Sequence, residues 1–242
     1  MYASVKSNAD IIIGPADDND LARCVRICNN VWKGIFQGSI DMLKKRTQAF
    51  QQGGIVVGKV NGKVEGYISF QQIHSPKISG NWNSVTDFGN MTLSHQNDGE
   101  WVMGIGLAVS QAGSQNGLPQ NLMLYIAEYV IRERKKGAVL VSRLSGFCHY
   151  KDKISPQEYA KLEKQARPID PCLRFFSQFG FSIPDNPIII DDYVDGGGDP
   201  NSCGHSIYIV KRNPYAWLPK PFAYVLSKLI YLLVHIDRWR MK

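Results

Sequence analysis

The sequence predicts an α/β domain, with a mixed, mostly antiparallel central sheet flanked by helices and a C-terminal amphipathic helix. Three observations carry this reading. Strand, polar loop, helix and strand signals follow one another from Trp101 to Val141, the order of a right-handed crossover unit. Asn61-Gly62 joins two apolar runs, and both residues tolerate positive φ, which makes the pair a strong hairpin signal. Helical and strand patterns also alternate on either side of these two units.

Each element has a local reason. Residues 11–14 form a short apolar strand. Leu21, Val25, Cys28 and Val31 give residues 18–32 helical spacing, with Asp17 or Asp18 as the N-cap. A second helix over 41–50 opens at Ser39 or Asp41. Residues 55–60 and 64–73 are the hairpin strands. The stretch 75–99, rich in Gly, Asn and Ser, reads as a long functional loop. The apolar run 101–109 enters a small polar loop, 110–117. A helix then starts near Pro119, where proline in the first turn forfeits no intrahelical hydrogen bond. The run 138–141 is the next strand. A loop over 145–171, a short helix over 173–178, and strands near 181–190 and 205–211 complete the domain.

Three regions follow: an N-terminal tail (1–10), the α/β domain (11–212) and a C-terminal helical extension (213–242). In the extension, Phe222, Val225, Leu226, Leu229, Leu232, Leu233 and Ile236 share one helical face, opposite Lys228, Tyr231, His235 and Arg238. This helix, over 222–236, is shorter than the roughly 20 residues needed to cross a bilayer. Its apolar face, basic residues and Trp239 suit a membrane surface, a homodimer contact through 220–240, or docking on the domain itself.

With 44% hydrophobic and 20% charged residues, the 242-residue chain is globular. Its net charge of +7 points to an acidic partner. Nucleic acid is not expected, because no RNA-binding signature or zinc-finger spacing accompanies the charge. Five cysteines without a CxxC pair, and no signal-peptide pattern, point to a cytoplasmic protein, peripheral at the membrane if the last helix binds there. Cys24 and Cys28, four apart, read as buried thiols in a core stripe, and no spacing supports a metal.

Several of these patterns resemble a known family. The hairpin from Ile55 through Asn61-Gly62-Lys63-Val64-Glu65-Gly66-Tyr67, the strand end Gly106-Leu107-Ala108-Val109, and Phe175-Phe176-Ser177-Gln178-Phe179-Gly180-Phe181 resemble segments of the GNAT superfamily of acyltransferases, in the same order. Thr92-Leu93-Ser94-His95, Arg143-Leu144-Ser145-Gly146-Phe147, Asp170-Pro171 and Asn213-Pro214 resemble a branch that includes the GNAT-like decarboxylase domains of polyketide synthases, which act on malonyl thioesters.

The resemblance implies an acyl-CoA or acyl-phosphopantetheine co-substrate in a V-shaped splay between two central strands. The pyrophosphate would lie at the start of the following helix. Leu107, Val109, Ser114, Gln115, Gly117 and Leu118 occupy the corresponding positions. Only Gly117 survives of the three glycines expected there, and Ser114 (or Gln115, one residue on) stands where the family has Arg or Gln. Glycines there allow backbone N–H groups to approach phosphate oxygens. Phe176 replaces a tyrosine that protonates the departing thiolate in many relatives, and it has no proton to give.

Other residues must therefore carry the chemistry. His149, after the second apolar strand, is expected to face the acyl group as an acid or base. Glu100 resembles the position of a general-base carboxylate, and is otherwise read as a strand-edge charge. His95 and Thr92 lie in the loop feeding the central strand. Trp32 and Arg143 are candidates for contacting the acyl group or an acidic substrate group. Three functions are compatible with this pattern. They are transfer of an acyl group from CoA or an acyl carrier protein to a small-molecule acceptor, decarboxylation of a malonyl thioester, and non-catalytic thioester or partner binding.

Overall fold

The chain begins its described structure on an edge strand, β1 (Ile11–Pro15), antiparallel to β2 (Val56–Val60). The computed structural model describes residues 9–78, 80–194 and 199–240, with side chains described as far as 230. Most of the expected tail (1–10) lies outside these residues, as do the side chains of Tyr231, Leu232, Leu233, His235, Ile236, Arg238 and Trp239.

Two helices connect β1 to β2. α1 (Asp18–Val31) starts at a reciprocal cap: the Asp17 carboxylate accepts from the N–H groups of Asn19 and Asp20, and Asp20 accepts from the Asp17 N–H. It buries Leu21, Cys24, Ile27 and Cys28, whereas Val31, expected inside, is exposed. The buried stripe is thus rotated towards the two thiols. α2 (Ile40–Ala49) is capped by Ser39, whose hydroxyl accepts from the Met42 N–H at 3.1 Å.

Asn61 (φ 50°) and Gly62 (φ 76°) form the tight turn into β3 (Lys63–Ile73). The expected loop over 75–99 contains one short helix, α3 (Trp82–Thr86). β4 (Trp101–Val109) then runs antiparallel to β3. The polar segment after it is a helical turn, α4 (Gln111–Gln115), capped by Ser110, where a loop was expected. α5 (Leu118–Arg132) crosses back to β5 (Gly137–Arg143), which lies parallel to β4.

The expected loop over 145–171 holds a single 3-10 turn (Phe147–His149), α6 (Pro156–Ala160) and a small hairpin of β6 (Glu163–Lys164) and β7 (Arg167–Pro168). α7 (Pro171–Ser177) is capped by Asp170. The strand expected at 181–190 is reduced to an isolated bridge between Ser182 and Val210 and to β8 (Ile189–Ile190). β9 (Ser206–Arg212) pairs with β5 and β8, so the main sheet runs β1-β2-β3-β4-β5-β9-β8. All its pairings except β4–β5 are antiparallel.

Alternation along the strands sends apolar side chains to both faces. Val57, Val64 and Tyr67 pack with Leu21, Cys24, Ile27 and Leu43 of α1 and α2. Val56, Ile68 and Phe70 pack with Leu118, Leu122 and Ile126 of α5.

The final helix, α8 (Lys220–Arg240), is longer than the expected 222–236. It lies on α5, burying Ala223 and Ser227, and Lys228 Nζ reaches the buried Glu128 of α5, 2.6 Å away. Phe222, Val225 and Leu229, from the expected apolar face, point outward instead. Among the described residues, no helix is long and apolar enough to cross a membrane.

Candidate functional site

β4 and β5 pair only over Trp101–Met103 and Gly137–Val139, and then separate. The separation has a local cause on β4. Phe70 of β3 faces Gly104, and Ser69 faces Gly106, so Ile105 is the extra residue of a β-bulge that bends the strand. Its carbonyl accepts a hydrogen bond from the Trp82 indole at 3.2 Å. Trp82 is in turn held by its backbone N–H, which donates to the Tyr193 carbonyl at 2.7 Å.

The opposite end of the splay is fastened shut. The Lys136 N–H donates to the Glu100 carbonyl at 2.7 Å, and Lys135 Nζ donates to the Gly99 carbonyl at 2.6 Å and to the Gln72 side chain.

Between the separated strands lies a largely apolar cavity of about 320 Å³. Its walls are Gly104–Leu107 of β4 and residues 140–143 of β5, closed by Trp32, Phe36, Trp82, Phe175 and Phe176. At Gly106 an added Cβ would meet nothing within 4 Å, so β4 presents a bare stretch of backbone there.

The turn at the start of α5 is less open. Gly113 sits so close to the Glu65 carbonyl that an added Cβ would lie 2.7 Å from it. The Ser110 hydroxyl donates to Glu65 Oε2 at 2.5 Å and accepts from the Gly113 N–H at 3.1 Å. Gly117 adopts φ 73° as the N-cap of α5, and Leu118 behind it is fully buried against Gly58.

The expected site residues divide. Trp32, Leu107 and Arg143 line the cavity, and the Arg143 guanidinium lies 5.2 Å from the centre of the Trp32 ring. Val109 packs into the core beside it. Ser114 and Gln115 are exposed on α4. His149 is exposed on the 3-10 turn and absent from the cavity wall, because the chain leaves the strand at Arg143 and turns away before reaching it. Glu100 sits at the fastened end of β4, paired with Lys136 at 2.6 Å. Thr92 is exposed. His95 stacks on Phe50 at 4.4 Å, and its Nδ1 accepts from the Gln72 N–H at 3.2 Å, which ties the 75–99 segment to β3.

The cavity also collects residues that were not marked as site candidates: Cys28, Arg46, Tyr67, Trp82, Cys172 and Tyr193. They come from six separate segments, and only their burial beside the splay marks them. Burial pushes the pKa values of Cys28, Cys172, Tyr67 and Tyr193 up, which holds these groups protonated. Arg143 is neutralised by Asp199, which it contacts at 2.5 and 2.7 Å. Burial alone would raise the Asp199 carboxyl, yet hydrogen bonds from Arg143 and Ser202 hold it below the usual carboxylate range. Among the described residues, the wall contains no imidazole and no carboxylate.

No family model and no curated protein matches the chain. Solved structures do. The loading GNATL domain of CurA from Lyngbya majuscula superposes with a TM-score of 0.72 at 18% identity, covering 84% of this chain and 98% of that one. The GphF GNAT-like decarboxylase, solved in complex with isobutyryl-CoA, gives 0.68 at 22% identity, over 83% and 98%. Ard1 from Thermoplasma volcanium gives 0.55 at 12% identity, over 84% and 97%. The bulged β4, its separation from β5 and the crossover helix between them, together with these superpositions, show that the chain has the GNAT fold.

Proposed function

We propose that the chain binds a short acyl thioester in the splay and transfers its acyl group to a small-molecule acceptor. The observation that carries this reading is the apolar cavity between β4 and β5, which opens where β4 has lost its β5 partner. A β4 edge free on that side can hydrogen-bond an extended amide-bearing arm, as an edge strand does with an added strand. Gly106 leaves room for such an arm. The residues present fit the phosphopantetheine arm and acyl group better than a pyrophosphate. The turn before α5 carries exposed Ser114 and Gln115, and Pro119 supplies no N–H. This favours a carrier-borne thioester over free CoA.

The wall supplies no proton acceptor, so the acceptor enters as a neutral nucleophile and loses its proton to water. The same feature favours a second reading, decarboxylation of a malonyl thioester, which requires no general base and no proton from Phe176. Incubation of the purified chain with acetyl-, malonyl- and butyryl-thioesters of CoA and of a carrier protein, read by free thiol and product mass, separates the two. Acceptor-dependent thiol release supports transfer. Conversion of malonyl to acetyl thioester without an acceptor replaces it with decarboxylation. Absence of binding to any thioester at millimolar concentration would overturn both.

A further inference from the structure

We infer that the cavity takes a substrate bearing a single carboxylate, and that Arg46 is its counter-ion. This deepens the reading of the splay as a thioester site and rests on it. Arg46 projects from α2 into the cavity wall and is only 2% exposed. Its Nε donates to the Gly89 carbonyl at 2.5 Å, its Nη2 lies 3.7 Å from Met42 Sδ, and the guanidinium lies 5.8 Å from the centre of the Trp82 ring. All of these partners are neutral. Among the described residues no carboxylate lies within ion-pair distance of it, and Nη1 makes no hydrogen bond.

A guanidinium stays protonated in any protein environment, so this charge cannot be removed by titration. Burying it without an anion is costly, and folded proteins pair such groups. The contrast with the cavity's other guanidinium is direct: Arg143 has Asp199, and Arg46 has no anionic partner among the described residues. An anion brought in by the substrate completes the pair. A carboxylate matches the planar fork of N–H groups and the single positive charge. A phosphate dianion would leave one charge uncompensated among apolar walls. With about 320 Å³ available, the carboxylate-bearing portion is only a few carbons long. It belongs either to the acyl group or to the acceptor.

The test measures binding through the fluorescence of Trp32 and Trp82, both in the cavity wall. One arm compares succinyl-CoA with butyryl-CoA. The other compares butyrate with butyramide, with and without saturating acetyl-CoA. In the wild type, the acid is expected to bind about tenfold or more tightly than its neutral counterpart in one arm, as for a buried charge-assisted hydrogen bond. The arm showing the preference identifies the source. Arg46→Gln is expected to reduce the preference below roughly twofold, and Arg46→Lys to retain part of it, because the charge but not the fork survives. Equal binding of acid and neutral forms by the wild type, or a preference that survives in Arg46→Gln, would overturn the inference. If Arg46→Gln fails to fold, Arg46→Lys decides in its place: an undiminished preference there overturns the role of Arg46. Butyrate binding without any thioester binding would sustain the role of Arg46 while removing the thioester reading.

Discussion

Replacing Trp82 with Phe tests whether the bulge at Ile105 is held from outside the sheet. The variant keeps an aromatic ring against Phe36, whose centroid lies 4.7 Å from that of Trp82. It loses the indole N–H, the donor to the Ile105 carbonyl at 3.2 Å. A buried carbonyl deprived of its partner costs about 1–3 kcal/mol. The guanidinium of Arg46, 5.8 Å from the indole, finds a weaker π face in Phe, a further loss of about 1 kcal/mol. The sum is about 2–4 kcal/mol, which for a chain of this size lowers the melting temperature by roughly 4–16 °C. Urea denaturation followed by circular dichroism measures the difference, with Trp217→Phe, at a residue 75% exposed, as the control expected to stay within about 0.5 kcal/mol. A Trp82→Phe variant as stable as that control would refute the reasoning, because the bulge would then need no indole.

Gly106→Leu is expected to leave the melting temperature within a few degrees while abolishing thioester binding, because the new side chain enters open space between β4 and β5. Calorimetric titration checks it, and unaltered affinity would show that the ligand does not use that stretch. Burial, first among its causes, depresses the pKa of His95, so the folded state resists protonating the ring. The stability this contributes is complete above about pH 6.5, the ordinary histidine value, and is lost as pH falls through the depressed value. Denaturation curves between pH 8 and 5 should therefore converge between wild type and His95→Gln as pH falls, and a gap that widens on acidification would contradict this. Glu128, 9% exposed, holds Lys228 at 2.6 Å and Arg132 at 3.4 Å. Glu128→Ala should release α8 from α5 and speed hydrogen exchange in α8 without unfolding the sheet. Unchanged exchange would mean that Ala223 and Ser227 suffice.

What was legible in the sequence was what adjacent residues decide. Asn61-Gly62 announces its own turn, Asp17 and Ser39 cap the helices they precede, and the order of strands around Trp101 to Val141 gives the scaffold. The run 181–190 has strand-like composition but pairs with the second edge of β9 only at Ser182 and through β8, because Pro184 and Pro187 interrupt it. Glu100 carries a chemically suitable group at the fastened end of β4, a position that pairing alone determines. His149 follows an apolar strand, yet the chain bends after Arg143. Arg46 resembles any basic residue of an amphipathic helix until tertiary packing encloses it. The cavity chemistry depends on such long-range enclosure, and no local pattern encodes it.

The three-residue ladder between β4 and β5 gives the domain the mechanics of a clothes-peg. One end is pinned through Lys135 and Lys136, and the jaws run on from Met103 to Val109 without mutual bonds. Six residues of strand extend about 20 Å, so a rotation of about 5° at the pin moves the tip by roughly 2 Å. That displacement separates a gripped chain from a released one, and it breaks no rung of the ladder. A substitution at Lys135, outside the cavity wall, is therefore expected to alter the dissociation rate of a ligand held there more than its chemistry.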